Sequence, residues 1–281
     1  MHLRADADLQ RRLAVIEDAA VFSATASDYA AECGISLDPA TIGDALRLGR
    51  DRIDDPSVTA RNWPCTGWLP VAVIPENGGW AVEWLHFGGV PLTAPFYEDS
   101  IRMARRRPFN RLVPWHTRLS RLGSCRPPLA RPDGFVFHMS RCGSTLVAQM
   151  LAAMAGAWVV SEPPPVDTVI RIDLPQAVCV AALQAMIGAL GRDTAPGGRY
   201  FIKLDSWNTA ALPLFRAAFP ETPWVFLYRD PAHVIASHMR MRGLQTVPGG
   251  IGGWSLPSGC PPRSRSRPRW RRSSRRCWMA T

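Results

Sequence analysis

Residues 134–154, Gly-Phe-Val-Phe-His-Met-Ser-Arg-Cys-Gly-Ser-Thr-Leu-Val-Ala-Gln-Met-Leu-Ala-Ala-Met, constrain this chain more than any other stretch. Phe135-Val136-Phe137 is a short apolar, β-prone run behind Gly134, which predicts a strand. From Ser144 onward, Leu146, Val147, Met150, Leu151 and Met154 recur at helical spacing, which predicts a helix with one buried stripe. Between the two lies the polar turn Ser140-Arg141-Cys142-Gly143-Ser144-Thr145. A strand that enters such a turn and then a helix leaves the first backbone N–H groups of the helix without partners inside it. With the positive end of the helix dipole, those groups form an anion site. Arg141 adds a fixed charge and a planar fork of donors, Ser144 and Thr145 add hydroxyls, and Gly143 admits a ligand close to the backbone. A phosphate or a sulfuryl group suits this turn. The usual nucleoside-triphosphate loop is not matched, because no lysine precedes Ser144 and the positive residue comes before the glycine. The alternative is a plain strand–turn–helix corner whose Arg141 and Ser144 cap the helix.

A regular alternation follows. Trp158-Val159-Val160 predicts a second strand, stopped by Ser161-Glu162-Pro163-Pro164-Pro165, and then a helix with Pro175 near its first turn and Gly191 after its end. Tyr200–Leu204 predicts a third strand, Asn208–Phe219 a helix closed by Pro220, and Trp224–Tyr228 a fourth strand. Arg229-Asp230-Pro231 then turns into a helix through His238. Strands alternating with helices imply an α/β fold whose parallel sheet is covered on both faces. Ligands bind such sheets at the carboxyl ends of the strands. Arg141, Glu162, Lys203 and Arg229 occupy those ends and are expected to converge on one crevice. Lys203 is the only lysine in the chain.

Upstream, residues 6–56 read as helical. Leu9, Leu13, Ile16 and Ala20 keep a helical period, Asp38-Pro39 starts a later helix, and Asp54-Asp55-Pro56 ends the segment. Residues 63–98 hold Trp63, Trp68, Trp80 and Trp84, with strands over Leu69–Ile74 and Trp80–Phe87 around the hairpin signal Glu76-Asn77-Gly78-Gly79. Glu83 and His86 lack a further ligand at a recognised metal spacing, so His86 reads as a half-buried sheet residue. Tyr97–Arg107 predicts a short helix with a solvated basic end, stopped by Pro108. Residues 121–133, with Pro127, Pro128 and Pro132, read as a linker. The chain thus divides into 1–122, a helical and Trp-rich hairpin region; 133–248, the α/β domain; and 249–281, a disordered basic tail.

Composition narrows the function classes. The 281 residues are 47% hydrophobic, as in a globular protein, and no apolar run approaches the ~20 residues of a membrane span. The first residues lack the apolar core of a signal peptide, so a cytoplasmic location is expected. Seven scattered cysteines with no Cys-x-x-Cys pair suit reduced thiols, and no metal site is expected. The net charge of +10 lies wholly in residues 231–281, which hold ten arginines and no Asp or Glu. The body of the chain is net neutral and carries no electrostatic sign of nucleic-acid binding; only the tail does.

Two motifs together resemble the sulfotransferases that use 3′-phosphoadenosine 5′-phosphosulfate as donor, in particular their divergent bacterial members. Phe137–Leu146 is similar to the loop that holds the 5′-phosphosulfate. Leu227-Tyr228-Arg229-Asp230-Pro231, with Val234 and Ser237, is similar to the element that holds the 3′-phosphate, in which an Arg and a Ser lie eight residues apart. The likeness covers residues 134–242. It implies a P-loop-type parallel sheet flanked by helices and transfer of a sulfuryl group to a hydroxyl or amine acceptor. It also implies that Arg141, Cys142, Gly143, Ser144, Thr145, Arg229 and Ser237 bind the donor. Arg141 stands where the better-known members carry lysine, so it keeps the charge but is a poor proton donor. Glu162 stands where several members place a catalytic glutamate and would act as general base, with helix capping as its alternative. Lys203 would contact the sulfuryl group or the acceptor, with a snorkelling strand residue as its alternative. His138 and His233 are further candidate bases. Cys142 is not expected to be a nucleophile, because the phosphatase arrangement needs an arginine after the cysteine rather than before it.

Residues 249–281 are mostly Gly, Pro, Ser, Arg and Trp without helix or strand period, where the family continues in a regular fold. The abrupt change reads as an out-of-frame or degenerate end that would impair activity. A basic tail binding nucleic acid is the rival. Two other readings stay open: another P-loop-type nucleotide-dependent kinase, and a non-catalytic remnant.

Overall fold

The computed structural model describes residues 6–47, 64, 66–76, 78–124 and 130–243. Three helices come first: α1 (Ala7–Ala14), α2 (Ala19–Glu32) and α3 (Pro39–Arg47). The expected period through Ile16 and Ala20 is broken, because Asp18 caps a new helix by accepting from Ala20 N and Val21 N. Asp38 caps α3 in the same way through Ala40 N, with Pro39 at its first position, as the sequence predicts. The Asp54-Asp55-Pro56 stop and Trp63 lie outside the described residues.

The hairpin forms from β1 (Trp68–Glu76) and β2 (Gly79–His86), paired antiparallel with a bulge between Pro70 and Ala72. A third strand, β3 (Trp115–Arg118), was not foreseen; it joins β2 after α4 (Tyr97–Arg106) and α5 (Pro108–Leu112). His86 is fully rather than half buried, edge-on to Trp68 and Phe109, and its Nδ1 accepts from Gly88 N. Burial, aided by the Arg107 and Arg11 charges, pushes its pKa down to about 4, so it is neutral at physiological pH. Glu83 is buried and takes both forks of Arg105, at 2.7 and 2.6 Å, so the basic end of α4 is not simply solvated.

The predicted alternation forms a four-stranded parallel sheet flanked by helices, in the order β5-β6-β4-β7. Its strands are β4 (Gly134–His138), β5 (Ala157–Ser161), β6 (Arg199–Lys203) and β7 (Trp224–Leu227). The helices are α6 (Ser144–Ala152), α7 (Pro164–Arg171), α8 (Gln176–Leu190), α9 (Leu212–Ala218) and α10 (Pro231–Arg240). Two details differ from expectation. The triple proline starts α7 rather than only ending β5, because proline suits a first helical turn. The helix foreseen over 208–219 begins as a 3-10 turn, Ser206–Ala211, before α9.

One apolar core runs through both sheets, from Leu9 and Trp68 to Phe215 and Phe219. Helices α7 and α8 pack against β1, and Gly67 N donates to both carboxylate oxygens of Asp193 at 3.1 Å. In the sheet, Phe135 and Phe137 meet Phe215 edge-on at 5.4 Å each. Burying one such phenylalanine stabilises the fold by roughly 2–3 kcal/mol. The expected linker opens with the 3-10 turn Leu119–Ser124, and its Pro127 and Pro128 lie outside the described residues.

Two core expectations fail on one side of the molecule. In α6, Ser144 and Ala148 face the sheet, whereas Leu146 is 67% and Met150 64% exposed. The predicted stripe therefore points outward, because the small residues of the helix allow its closest approach to the sheet. Trp224, Val225 and Phe226 of β7 are also exposed, Val225 by 50%. Among the described residues the sheet is therefore covered on both faces at β4–β6 but not at β7. No described helix is long and apolar enough to cross a membrane.

Candidate functional site

At the carboxyl ends of the strands lies a cleft of about 400 Å³. On one side it is lined by Ser140, Arg141, Gly143, Ser144, Thr145 and Ser237. On the other it is lined by Glu162, His138, Asp205, Trp207 and Phe96.

The first side is built by the turn after β4. Met139 N donates to Leu227 O at 3.0 Å, which ties the turn to the end of β7. Arg141 (φ 61°) and Gly143 (φ 93°) are both left-handed, and Gly143 is the N-cap of α6. The first N–H groups of α6, at Ser144 and Thr145, are orphan donors by position. The Arg141 guanidinium donates to Met241 O at 2.7 Å. Arg229 is exposed beside the same turn, where its Nη1 donates to Arg141 O at 3.5 Å. Asp230 caps α10 through Ala232 N and does not pair with Arg229 in the described contacts. Ser237, two turns into α10, reaches the cleft wall. Cys142 is a half-buried free thiol in the turn.

The second side is a buried polar cluster. Glu162 N donates to Lys203 O at 2.7 Å, extending the β5–β6 pairing one residue past Ser161↔Lys203. That register sets Glu162 beside Lys203, whose Nζ donates to Glu162 Oε1. Lys203 has 0% exposure, and its ammonium lies 5.2 Å from the Phe96 ring centre. It is thus neither snorkelling nor a wall of the cleft; it stands behind Glu162. His138 Nδ1 lies 3.0 Å from Met139 O and Nε2 2.7 Å from Leu204 O, so both ring nitrogens face backbone carbonyls. Nε2 is also 3.5 Å from Glu162 Oε1. His233 is exposed on α10, outside this cluster.

Only two described non-glycine residues have positive φ, Arg141 and Glu162, at 53° for the latter. Each such conformation costs of order 1 kcal/mol or more and persists only where the surroundings impose it. Both fall at positions singled out from the sequence, one on each side of the cleft.

Asp205, Trp207 and Phe96 were missed by the sequence reading. Asp205 follows β6 by two residues and caps the 3-10 turn through Asn208. Trp207 Nε1 and Asn208 Nδ2 donate to Asp167 Oδ1 at 2.7 and 2.8 Å, and Arg171 holds its other oxygen at 2.9 Å. An aspartate at a strand end was the available signal. Phe96 had none, since it comes from the N-terminal region.

Comparison with protein-family models, with curated proteins and with solved structures finds no match to this chain.

Proposed function

We propose that the chain is a sulfotransferase that moves a sulfuryl group from 3′-phosphoadenosine 5′-phosphosulfate to a hydroxyl or amine, on a P-loop-type sheet. One observation carries this reading. Two anion-binding elements far apart in sequence, the Ser140–Thr145 turn and the Arg229–Ser237 pair, lie beside one cleft that faces a buried carboxyl cluster. The turn amides of Cys142–Thr145 and Arg141 would hold the 5′-phosphosulfate, and Arg229 with Ser237 the 3′-phosphate. Phe96 and Trp207, which line the same cleft, would give an apolar wall for the acceptor, with carboxyls to receive its proton.

Such a transfer needs little covalent work from the protein. The acceptor oxygen or nitrogen bonds to sulfur while the bond from sulfur to the 5′-phosphate oxygen breaks, and the departing phosphate takes up negative charge. Arg141 and the first N–H groups of α6 would meet that charge. Both ring nitrogens of His138 face carbonyls, which argues against His138 as the base.

Calorimetric titration of the full chain with 3′-phosphoadenosine 5′-phosphate, beside Arg229→Ala, tests the reading. Tight binding by the parent and roughly 10- to 100-fold weaker binding by the variant are expected, the size of one charge-assisted contact. A folded parent that binds ATP with magnesium in preference would point to a kinase. One that binds neither nucleotide would overturn the proposal.

A further inference from the structure

Proton removal from the acceptor needs a base, and the cleft offers two carboxyls. Glu162 is the one foreseen. Its Oε1 accepts from Lys203 and faces His138, so its charge is already balanced. Burial alone would raise its pKa, but the His138 contact and the charge and hydrogen bond of Lys203 outweigh burial and hold it below the usual range. A carboxylate stabilised in this way is a weak proton acceptor near neutral pH.

Asp205 is the other carboxyl. It is 8% exposed and lines the same cleft as Glu162. Two carboxyls that share one dehydrated cleft do not both ionise freely, and one of them keeps its proton to higher pH. The charges around Asp205 decide which. Glu162, following β5, and Asp167 of α7 face it as anions, while Lys203 of β6 faces it as a cation already engaged by Glu162. Arg171 is spent on Asp167, and His138 at the end of β4 is turned to Glu162 and two carbonyls.

We infer that Asp205, and not the Glu162 already engaged by Lys203, takes the acceptor's proton, and that Glu162, fixed by Lys203 and His138 in the same cleft, is a positioning residue. The inference rests on the transfer reading above. As the acceptor oxygen bonds to sulfur, its proton passes to the Asp205 carboxylate, and the electrons of the breaking sulfur–oxygen bond leave with the 5′-phosphate. Asp205 must therefore be ionised before transfer. Burial, reinforced by the Glu162 and Asp167 charges, pushes its pKa up to about 8. Two environments that drive paired carboxyls apart mark the separate roles of the two groups. The transfer rate should then rise about tenfold per pH unit below about 8 and level off above it.

The experiment uses the full chain, 3′-phosphoadenosine 5′-phosphosulfate and phenol as a hydroxyl acceptor, with Asp205→Asn and Glu162→Gln. A second arm follows the ¹³C carboxyl signals of aspartate-labelled protein against pH, with or without turnover. The expected results are a rate limb near pH 8 in the parent, loss of at least ~10²-fold in Asp205→Asn, and a shifted limb with retained turnover in Glu162→Gln. Unchanged binding of 3′-phosphoadenosine 5′-phosphate by Asp205→Asn separates this loss from a loss of the donor site. A rate flat from pH 5.5 to 9 that survives Asp205→Asn would overturn the inference while leaving the transfer reading intact. An Asp205 signal titrating in the ordinary aspartate range would overturn it even if phenol is not accepted.

Discussion

On one side of the cleft, Glu162 and His138 are held by short polar contacts at the ends of β5, β6 and β4, with Lys203 behind Glu162 and the buried Asp205 beside them in the lining. On the other, Arg229 is exposed and Arg141 half-exposed; each guanidinium donates to a backbone carbonyl, and both stand near the end of β7, which is exposed among the described residues. On the proposed reading, the difference follows from what each side would handle. A group that handles a proton needs a fixed, dehydrated setting, which neighbouring strands provide. A group that receives a highly charged donor must stay open to solvent until the donor arrives. Mutations on the first side should therefore act most on folding and pH response, and those on the second most on binding.

The largest break in that contrast is Lys203→Met. It strands the Glu162 carboxylate without its buried counter-charge and should cost about 3 kcal/mol in urea unfolding, with the Lys203→Met, Glu162→Gln double variant recovering most of it. A single variant as stable as the parent would place the ion pair among exposed ones.

Next comes the pH dependence of stability. The folded state holds the Asp205 proton more tightly than the unfolded chain does. This contribution is therefore full below the unfolded pKa near 4 and is lost as pH rises to about 8. Glu162 has the opposite sign, since its lowered folded pKa stabilises above the unfolded range and is lost as pH falls. Asp205→Asn removes only the alkaline decline. Its melting temperature should match the parent's near pH 4 and exceed it at pH 9, by an amount worth more than about 1 kcal/mol. Asp193, also raised chiefly by burial, is common to both proteins and cancels in the comparison.

On the open side the effects shrink. Arg141→Gly removes a left-handed non-glycine residue, so stability should stay level or rise by up to about 1 kcal/mol while nucleotide binding falls. A loss of stability there would show that the Met241 contact matters more than the backbone conformation. Smallest is Val225→Lys on the exposed edge strand, expected within about 0.5 kcal/mol of the parent in stability but less prone to associate in light scattering.

The sequence by itself determined the alternation of strands and helices from residue 134, the polar turn before α6, the Asp38-Pro39 start of α3 and the hairpin over residues 69–87. These are local matters of apolar period, turn residues and helix caps, and each is decided by residues within about ten of one another. It also named Arg141 and Glu162, the two strained positions, though by resemblance and strand-end position rather than by any sign of strain. Tertiary structure alone decided which apolar stripe is buried. Leu146 and Met150 have the right period, but Ser144 and Ala148 of the same helix face the sheet. It alone put Lys203 behind Glu162 rather than in the cleft, through the register of β5 on β6, and drew Phe96 from a region that names no chemistry. The same packing brought Asp205 into one cleft with Glu162 and within the influence of the Asp167 charge, 43 and 38 positions away in sequence. A proton affinity that depends on burial and on two neighbouring charges belongs to that assembly, and no reading of residues in order contains it.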